Sequence, residues 1–240
     1  MELGAAGTEL VLVARRGDRL EDLATEVEKA GGPAPEVLVA DLTDDGERAA
    51  VEARLADPSR PIHLLVNNAG FGTSGRFVDL PVEVEDTEIR LNALATVRLA
   101  RAVLPGMIER GRGGIVNVSS IAALQPLPRW ATYAATKAFV TSFSEALHQE
   151  VRAQGVSVLA LMPGFTRTEF HDQATMTRSS IPGPMWMSPE DVVRSGLRAL
   201  DRNRAAHIPG IRNIAVAVVS RLVPWAVSRR VVHVAGRHIT

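Results

Sequence analysis

Short apolar runs alternate with longer stretches of helical periodicity along most of this 240-residue chain. The short runs are rich in valine, isoleucine and leucine and lack strict polar alternation, which is typical of strands buried on both faces of a parallel sheet. The predicted strands are residues 9–14, 36–40, 62–66, 114–118 and 156–161, and the predicted helices lie near 18–30, 44–56, 84–110 and 131–153. This alternation predicts right-handed crossovers and an α/β fold with a doubly wound parallel sheet.

The pattern changes in the last third of the chain. Residues 165–187 contain prolines, serines and threonines around an apolar cluster, which predicts a long functional loop. A new helix is expected to begin with Ser188 as its N-cap and Pro189 in its first turn. We therefore assign residues 1–208 to one α/β domain and residues 209–240 to a C-terminal helical tail.

The tail between residues 211 and 236 is apolar and carries arginines, and no acidic residue follows Asp201. Two interpretations remain open. As an amphipathic helix, the tail would make peripheral contact with an anionic membrane, which would suit a lipophilic substrate. Alternatively, it packs as a C-terminal helix beside the rim of the ligand site. Pro224 is expected to kink the helix in either case.

Composition excludes several classes of function. The 27 basic and 27 acidic residues balance, so the chain lacks the basic excess of dedicated nucleic-acid binders, and we expect no nucleic-acid partner. The chain has no cysteine, and its six histidines lack metal-ligand spacing, so we expect no disulfide and no metal site. His63, inside a predicted strand, is expected to be buried. Without a signal-peptide pattern or a run of 18 apolar residues, the expected compartment is the cytoplasm, with membrane association only through the tail.

Polar residues follow three of the predicted strands, and the carboxyl ends of parallel strands are where ligands bind in such sheets. Asn67-Asn68-Ala69-Gly70 follows the third strand, Ser119-Ser120 the fourth and Pro163-Gly164 the fifth. The helix between the last two strands contains Tyr133 and Lys137, which are four residues apart and therefore lie on one helical face. These residues are the candidates for chemistry.

Tyr133 and Lys137 form a candidate acid–base pair. A phenol has a pKa of about 10, and a nearby cation favours the phenolate, so Lys137 is expected to lower the pKa of Tyr133. The tyrosine would then donate a proton to a carbonyl group or accept one from an alcohol. The same spacing also arises by chance in ordinary helices, so the surrounding motifs decide between the two interpretations.

These motifs occur together and in order: Asn-Asn-Ala-Gly, then Ser-Ser, then Tyr133 thirteen residues after Ser120, then Lys137, then Pro-Gly. In this respect the sequence resembles the short-chain dehydrogenase/reductase family. The resemblance covers residues 3–200 and implies a Rossmann-like fold and an NAD(P)-dependent oxidoreductase. It also implies a homo-oligomer formed through helices 84–110 and 131–153.

The resemblance implies a role for each matching residue. Tyr133 would be the general acid/base, and Lys137 would bind the nicotinamide ribose. Ser120, rather than Ser119, would hydrogen-bond the substrate oxygen, and Asn92 would hold a water beside the lysine in a proton relay. The remaining cofactor contacts would come from Asn68, Ala69 and Gly70 along the dinucleotide, from Pro163, Gly164 and Thr168 at the carboxamide, and from Asp41 near the adenine.

The choice of cofactor rests on the end of the first predicted strand. A carboxylate there would favour NAD, but this strand ends in Ala14-Arg15-Arg16, and guanidinium groups suit a 2′-phosphate. We therefore expect NADP(H) rather than NAD(H). The alternative is that one or both arginines are solvated charges of a turn.

The family's phosphate-binding motif, Thr-Gly-x3-Gly-x-Gly, has no counterpart in the sequence. Gly4 and Gly7 precede the first predicted strand, whereas the motif must follow a strand and open a helix. Residues 1–8 instead resemble the end of the family's first helix. Three explanations remain open: an internal methionine taken as the start, a fragment of a gene, or a genuine short form. We expect that residues 1–240 alone are unstable or cofactor-free, and that a version extended upstream is active.

The substrate site is expected to be apolar. Trp130, Phe170 and Trp186 are its candidate aromatic residues, which favours a small apolar ketone or secondary alcohol; the alternative is that some of them only pack the loop. Two functional classes follow from the sequence. The first is an NADP(H)-dependent oxidoreductase with Tyr133 as the general acid/base. The second is a non-catalytic family remnant or interaction protein with a broken cofactor site.

Overall fold

A computed structural model of the chain describes residues 2–168 and 183–222. Its strands are β1 (Val11–Ala14), β2 (Glu36–Val39), β3 (Leu64–Asn67), β4 (Gly113–Val118), β5 (Val156–Leu161) and β6 (Ala206–His207). All pairings among them are parallel. β1 pairs with β2 in one sheet, and β3, β4, β5 and β6 form a second sheet in that order.

Helices connect successive strands of both sheets. They are α1 (Glu2–Ala5), α2 (Gly17–Lys29), α3 (Asp45–Ala56), α4 (Val82–Ile89), α5 (Thr96–Glu109), α6 (Ala131–Val151), α7 (Pro189–Asp201) and α8 (Ile211–Leu222). Short 3-10 turns lie at Phe77–Asp79, Ile121–Leu124, Arg152–Gln154 and Gly183–Met185, and a π-helical turn at Arg90–Ala95 joins α4 to α5. α2, α3 and α8 follow β1, β2 and β6 directly, and α4 and α6 follow β3 and β4 after a short 3-10 turn, so the predicted strand–helix alternation is confirmed.

The central strands bury both of their faces, as their uninterrupted apolar runs predict. Successive side chains of a strand point to opposite faces. Ile115 and Val158 accordingly lie in one core, with residues of α3, α5 and α6, whereas Val116 and Leu159 lie in a second core with residues of α7. Helices therefore cover both faces of the sheet, which makes the fold a doubly wound, Rossmann-like α/β domain.

The first two strands depart from the prediction of one continuous buried sheet. No strand among the described residues pairs with the facing edges of β1 and β3, and a cleft of about 1970 Å³ lies between them. Val11, Leu12 and Val13 are consequently only half-buried, and Val66 on β3 is 46% exposed. The apolar character of these strands is real, but no neighbour covers their edges.

Local predictions hold closely around most elements. The five predicted strands and four predicted helices are all present, with ends that shift by at most two residues. Ser188 caps α7 by accepting the Asp191 N–H at 3.1 Å, as expected. Two differences stand out: the two-residue strand β6 was not predicted, and the prediction for His63 was wrong. His63 is exposed, because β3 begins one residue later and His63 borders the cleft.

Both ends of the described chain are helical. α1 is followed by a turn in which Gly7 has a φ of +80°, a conformation that favours glycine, and the chain then enters β1. At the other end, α8 buries Asn213 and Ala217 and exposes Ile211, Ile214 and Val218. Residues 223–236 of the predicted tail, with Pro224, lie outside the described residues.

The helical run Val82–Glu109, which spans α4, the π-helical turn and α5, is long and apolar enough to cross a membrane by length and composition. Within this protein, however, α5 buries Leu99, Val103 and Met107 against the sheet. The apolar character of α5 is therefore accounted for by the core.

Candidate active site

The predicted motifs after β3, β4 and β5 lie at one edge of the sheet, because the three strands pair in parallel as neighbours. The loops that follow β4 and β5 are also bonded to each other. The Ser119 N–H donates to the Leu161 carbonyl at 2.7 Å, and the Ile121 N–H donates to the Pro163 carbonyl at 3.0 Å. These bonds bring Ser119-Ser120 and Pro163-Gly164 together, as the strand-end argument predicts.

A buried chain of polar side chains fixes α6 to the sheet beneath this edge. Asn67 Nδ2 donates to Asn117 Oδ1 at 2.9 Å, and Asn117 Nδ2 donates to Ser144 Oγ at 2.9 Å. All three residues are at least 92% buried. Buried polar groups that are fully hydrogen-bonded specify one arrangement of the elements that carry them. These hydrogen bonds between Asn67, Asn117 and Ser144 therefore set the position of α6, and with it the positions of Tyr133 and Lys137.

Tyr133 and Lys137 lie in the first two turns of α6, one above the other. The Lys137 Nζ is 5.8 Å from the centroid of the Tyr133 ring and donates to the Val118 carbonyl at 2.8 Å. Both side chains are buried, with 8% and 6% of their surfaces exposed. The predicted pair is thus brought to the carboxyl end of β4.

The pKa of Tyr133 differs from the expectation that Lys137 lowers it. Burial raises the pKa of Tyr133 to about 12; the hydrogen bond with Ser120 opposes this rise, and the Glu88 charge adds to it. Burial also lowers the pKa of Lys137 to about 8, against the opposite effect of Glu88. The expectation was wrong for this structure because it counted the charge of the lysine and not the loss of water around both groups.

The structure separates the two adjacent serines. The Ser120 hydroxyl is hydrogen-bonded to Tyr133 and accepts the Ala122 N–H at 3.1 Å. Ser119 is buried, and its hydroxyl lies 2.8 Å from both the Lys137 carbonyl and the Thr141 hydroxyl. Ser120 is therefore the serine placed beside the tyrosine, and Ser119 serves the packing of α6.

Asn92 lies in the π-helical turn, a local widening that often occurs at functional positions. Its Nδ2 donates to the Phe71 carbonyl at 2.8 Å and to the Thr136 hydroxyl at 3.1 Å, and its Oδ1 accepts the Phe71 N–H at 3.2 Å. The side chain thus holds the loop after β3 against α6. The role of Asn92 in a proton relay stays a prediction.

The loop after β3 approaches the site closely enough to require glycine at two positions. A Cβ on Gly70 would lie 2.8 Å from Asn92 Oδ1 and 3.5 Å from Lys137 Nζ. A Cβ on Gly72 would lie 2.7 Å from the Tyr133 ring. The contacts with Asn92 and Tyr133 are shorter than van der Waals distance, so a side chain at Gly70 or Gly72 would displace these catalytic candidates.

Most of the eleven predicted cofactor residues line the cleft between the two sheets; Tyr133, Lys137, Pro163 and Gly164 are not among the residues that border it. The seven that border it are Arg15, Arg16, Asp41, Asn68, Ala69, Gly70 and Thr168. Arg15 Nη1 lies 3.6 Å from Asp41 Oδ2. Burial raises the pKa of Asp41, but hydrogen bonds from Thr43 and the charge of Arg15 outweigh it and lower the pKa overall. A carboxylate and a guanidinium are thus paired at the carboxyl ends of β1 and β2.

These donors fit the two ends of a dinucleotide. Guanidinium groups bind phosphate, and a buried ammonium beside a phenol can bind ribose hydroxyls. Between the ends, the described residues contain no glycine-rich turn from a strand into a helix that would bind a pyrophosphate. The fit to a dinucleotide therefore covers its nicotinamide and adenosine portions.

The candidate substrate residues are placed unequally. The Trp130 ring meets Tyr133 edge to face, with centroids 5.6 Å apart. Trp186 packs on Phe165, the residue after Gly164, with centroids 5.8 Å apart. Phe170 lies outside the described residues. Among the candidate substrate residues that the structure describes, Trp130 therefore contacts the Tyr133 ring.

Sequence reasoning missed two features of the site. Acidic residues near the start of a helix are usually exposed charges that favour the helix dipole; Glu83 and Asp86 of α4 are exposed, whereas Glu85 and Glu88 are buried. Glu88 lies four residues before Asn92, hence on the same helical face, and this spacing was the signal in the sequence that Glu88 points toward the site. Asn213 of α8 packs on Gly164, and no local pattern predicts a contact between residues so distant in the chain.

Comparisons with known proteins agree with this geometry. A family model described as short chain dehydrogenase matches residues 1–179. The very-long-chain 3-oxoacyl-CoA reductase of Bos taurus is 31% identical over 231 residues, which cover 93% of this chain and 70% of that protein. Matches to curated proteins of this name span between 62% and 70% of their length.

Two solved structures show the same fold. The short-chain dehydrogenase from Sphingobium yanoikuyae in complex with NADPH has 37% identity and a TM-score of 0.81 and covers 92% of this chain and 87% of that one. The bulky-bulky ketone specific alcohol dehydrogenase from Comamonas testosteroni has 32% identity and a TM-score of 0.77, with coverages of 94% and 88%.

A doubly wound sheet with a serine, tyrosine and lysine at the carboxyl ends of its strands defines an NAD(P)-dependent dehydrogenase or reductase. More specifically, the chain belongs to the short-chain dehydrogenase family.

Proposed function

We propose that this protein transfers a hydride between NADP(H) and an apolar ketone or the corresponding secondary alcohol. The observation that carries the proposal is the contact of Ser120 with Tyr133 above a buried Lys137, with Trp130 against the tyrosine ring. A hydroxyl pair of this kind binds one oxygen atom, and an aromatic neighbour favours an apolar substituent on the same substrate.

Each residue of the site has a distinct part in the reaction. When bound, the nicotinamide supplies or accepts the hydride at the substrate carbon. The Ser120 hydroxyl donates a hydrogen bond to the substrate oxygen, and the Tyr133 hydroxyl donates its proton to that oxygen during reduction. The Lys137 ammonium, 5.8 Å from the ring, then stabilises the phenolate that remains. Because the pKa of Tyr133 is about 12, the tyrosine holds its proton at neutral pH, which suits the reductive direction.

The relatives support the apolar substrate. The names of the similar proteins include a very-long-chain 3-oxoacyl-CoA reductase, a bulky-bulky ketone specific alcohol dehydrogenase and a 17-beta-hydroxysteroid dehydrogenase. Each name describes a carbonyl or hydroxyl compound with bulky substituents, and the very-long acyl chain and the steroid skeleton among them are apolar. Arg15 and Arg16 at the end of β1, together with the NADPH complex of the S. yanoikuyae relative, support NADP(H) over NAD(H).

A second candidate is a family member without catalysis. The cleft between β1 and β3, with no glycine-rich turn among the described residues, favours this alternative. Binding of NADPH separates the two candidates. Binding is measured for residues 1–240 and for a version that carries the family's strand and Thr-Gly-x3-Gly-x-Gly loop in front of them. The first candidate predicts tight binding in at least one of the two versions; absence of binding in both supports the non-catalytic candidate.

The proposal is tested by the Tyr133→Phe substitution in the extended version. Removing the phenolic hydroxyl eliminates the proton donor, and general acid–base catalysis contributes about 10²–10⁴-fold to a rate. We therefore expect kcat for reduction of a bulky aryl ketone with NADPH to fall at least about 100-fold, with little change in NADPH affinity. The control, Thr25→Val, removes an exposed hydroxyl on α2 and leaves kcat unchanged. Retained activity in Tyr133→Phe would contradict the proposal.

A further inference from the structure

Helix α4 is packed in an unusual orientation, with its acidic side inward. Glu85 is 6% exposed and Glu88 is fully buried, whereas Val82 is 64% exposed on the same helix. Burying a carboxyl group costs several kcal/mol unless hydrogen bonds or opposite charges compensate for it. The partners of these two carboxyl groups therefore decide what the helix does.

Two threonines bind the pair of glutamates. The Thr73 hydroxyl lies 2.6 Å from Glu85 Oε1 and 2.6 Å from Glu88 Oε2, and the Thr73 N–H donates to Glu88 Oε2 at 2.9 Å. The Thr132 hydroxyl makes a short hydrogen bond to Glu85 Oε2. Thr73 follows Gly72, which touches the Tyr133 ring, and Thr132 directly precedes Tyr133. The pair thus connects α4 to both segments that contact the tyrosine.

A count of protons shows that one glutamate is neutral. The two threonine hydroxyls make three hydrogen bonds to carboxyl oxygens, yet each hydroxyl has only one proton to donate. A carboxylate cannot donate, so at least one of the three bonds needs a proton on a glutamate. Burial raises the pKa of Glu88, and the charge of Glu85 adds to this rise, against hydrogen bonds from Thr73 and the charge of Lys137. Glu88 is fully buried and its Oε1 has no partner among the described residues, whereas both oxygens of Glu85 accept hydrogen bonds, so we assign the proton to Glu88.

Glu88 interacts electrostatically with the two catalytic candidates on α6. Glu88 Oε1 is buried and has no hydrogen-bond partner among the described residues. A charge on Glu88 acts on both Tyr133 and Lys137, and it raises the pKa of each. Glu85 on α4, and Tyr133 and Lys137 on α6, are the titratable groups that interact with Glu88 from the packed elements. A neutral Glu88 adds no negative charge to the tyrosine–lysine pair.

We propose that Glu88 is a positioning residue for Tyr133 and that it acts in its neutral, protonated form. Glu88 donates its proton to the Thr73 hydroxyl. The hydrogen bonds of Thr73 and Thr132 to Glu85 then fix the loop after β3 against the start of α6. The effect on the reaction rests on the proposed function, since Tyr133 is the proton donor there. Loss of the Glu88 proton places a negative charge beside the tyrosine and opposes formation of the phenolate. The protonation state of Glu88 on α4 therefore affects the ionisation of the Tyr133 hydroxyl.

The test uses the fact that Tyr133 is the single tyrosine of the chain. Its ionisation is followed directly by phenolate absorbance as the pH is raised, in the wild-type chain and in Glu88→Gln. A glutamine keeps a donor for Thr73 and cannot become charged. We expect the titration midpoint of Tyr133 to fall by about one pH unit in Glu88→Gln, because an ionised Glu88 no longer opposes the phenolate at alkaline pH. Far-UV circular dichroism verifies that the fold persists over the titration.

Infrared spectroscopy tests the proton itself. At neutral pH, we expect the carbonyl band of a protonated carboxylic acid in the wild-type chain and its loss in Glu88→Gln. The matched control, Glu83→Gln, makes the same change on the exposed side of α4 and should retain both the band and the Tyr133 midpoint. If Glu88→Gln fails to fold, Thr73→Val serves instead: it removes the acceptor of the Glu88 proton and should shift the band.

An absent wild-type band, or an unchanged Tyr133 midpoint in folded Glu88→Gln, would overturn the proposal. Neither readout needs cofactor or substrate. A failure here is therefore distinguishable from a failure of the proposed function, which would appear as full activity in Tyr133→Phe.

Discussion

At the scale of single residues, burial dominates the electrostatics of this site. Lys137 and Tyr133 are both removed from water, and each shifts toward its neutral form: the pKa of the lysine falls to about 8 and that of the tyrosine rises to about 12. A buried lysine that is charged at neutral pH lowers the stability of the folded state. In the proposed reaction the ammonium would stabilise the phenolate of Tyr133, which gives the buried lysine a role despite this cost.

This cost predicts a pH-dependent effect of Lys137→Met. Below pH 8 both the folded and the unfolded chain hold the lysine proton, so the folded state carries the full burial penalty; above that, the folded chain releases the proton first, and stability rises toward pH 10.5. At pH 7 we expect the free energy of unfolding of Lys137→Met to be higher than that of the wild-type chain by roughly 1–3 kcal/mol. This net value allows for the lost hydrogen bond to the Val118 carbonyl. The advantage should shrink by pH 9.5.

Urea unfolding at the two pH values measures this difference. Lys29→Met, at the exposed end of α2, removes the only other lysine of the chain. It should change the free energy of unfolding by the same small amount at pH 7 and at pH 9.5. A Lys137→Met chain that is less stable than wild type by the same amount at pH 7 and pH 9.5 would show that the burial penalty is absent.

At the scale of elements, helix α8 reaches the active-site edge of the sheet through Asn213. Asn213 is 2% exposed, its Nδ2 donates to the Pro209 carbonyl at 2.8 Å, and its Oδ1 has no partner among the described residues. A Cβ on Gly164 would lie 2.4 Å from this Oδ1. The glycine after β5 is thus required by the helix that packs on it.

This contact predicts compensation between two substitutions. Gly164→Ala should lower the free energy of unfolding by roughly 1–3 kcal/mol, because the new methyl group overlaps the Asn213 amide. Asn213→Ala removes the amide, so the double variant should recover most of that loss in a double-mutant cycle measured by urea unfolding. Gly183→Ala is the control, since its Cβ would meet nothing within 4 Å. Strictly additive effects of the two substitutions would contradict the contact.

At the scale of the whole molecule, the cofactor residues come from both sides of the cleft. Arg15 and Arg16 follow β1 and Asp41 follows β2 in one sheet, whereas Asn68 to Gly70 follow β3 in the other. A ligand that contacts both groups would hold the two sheets together. Ligand that binds only the folded state stabilises it by about 2.7 kcal/mol at a concentration of 100 Kd.

We therefore predict that NADPH raises the Tm of the extended version by about 5 °C at such a concentration.

Arg15→Ser removes a guanidinium suited to the 2′-phosphate, so it should weaken NADPH binding about tenfold or more and leave NADH binding within about twofold. Arg101→Ser, an exposed arginine on α5, is the control. Thermal unfolding with each cofactor makes the comparison, and equal losses for NADPH and NADH would contradict the role of Arg15.

Much of this protein follows from its sequence, because the relevant physics is local. Uninterrupted valine and leucine runs require two covered faces, which gives the buried strands β4 and β5, and the Ser188-Pro189 start defines the beginning of α7. The spacing of Tyr133 and Lys137 places them on one helical face wherever that helix lies. Strand-end motifs then converge because parallel strands end on one side.

The tertiary structure decided what depends on the surroundings of a residue. Whether Tyr133 gains or loses acidity depends on the water removed around it, and no spacing in the chain reports that. Glu85 and Glu88 differ from Glu83 only in the side of α4 that meets α6, and Asn213 contacts Gly164 although the two residues are 49 positions apart in the chain. Likewise, β1 is as apolar as its neighbours, yet it borders a cleft. Patterns determine which surfaces must be covered, and only packing determines what covers them.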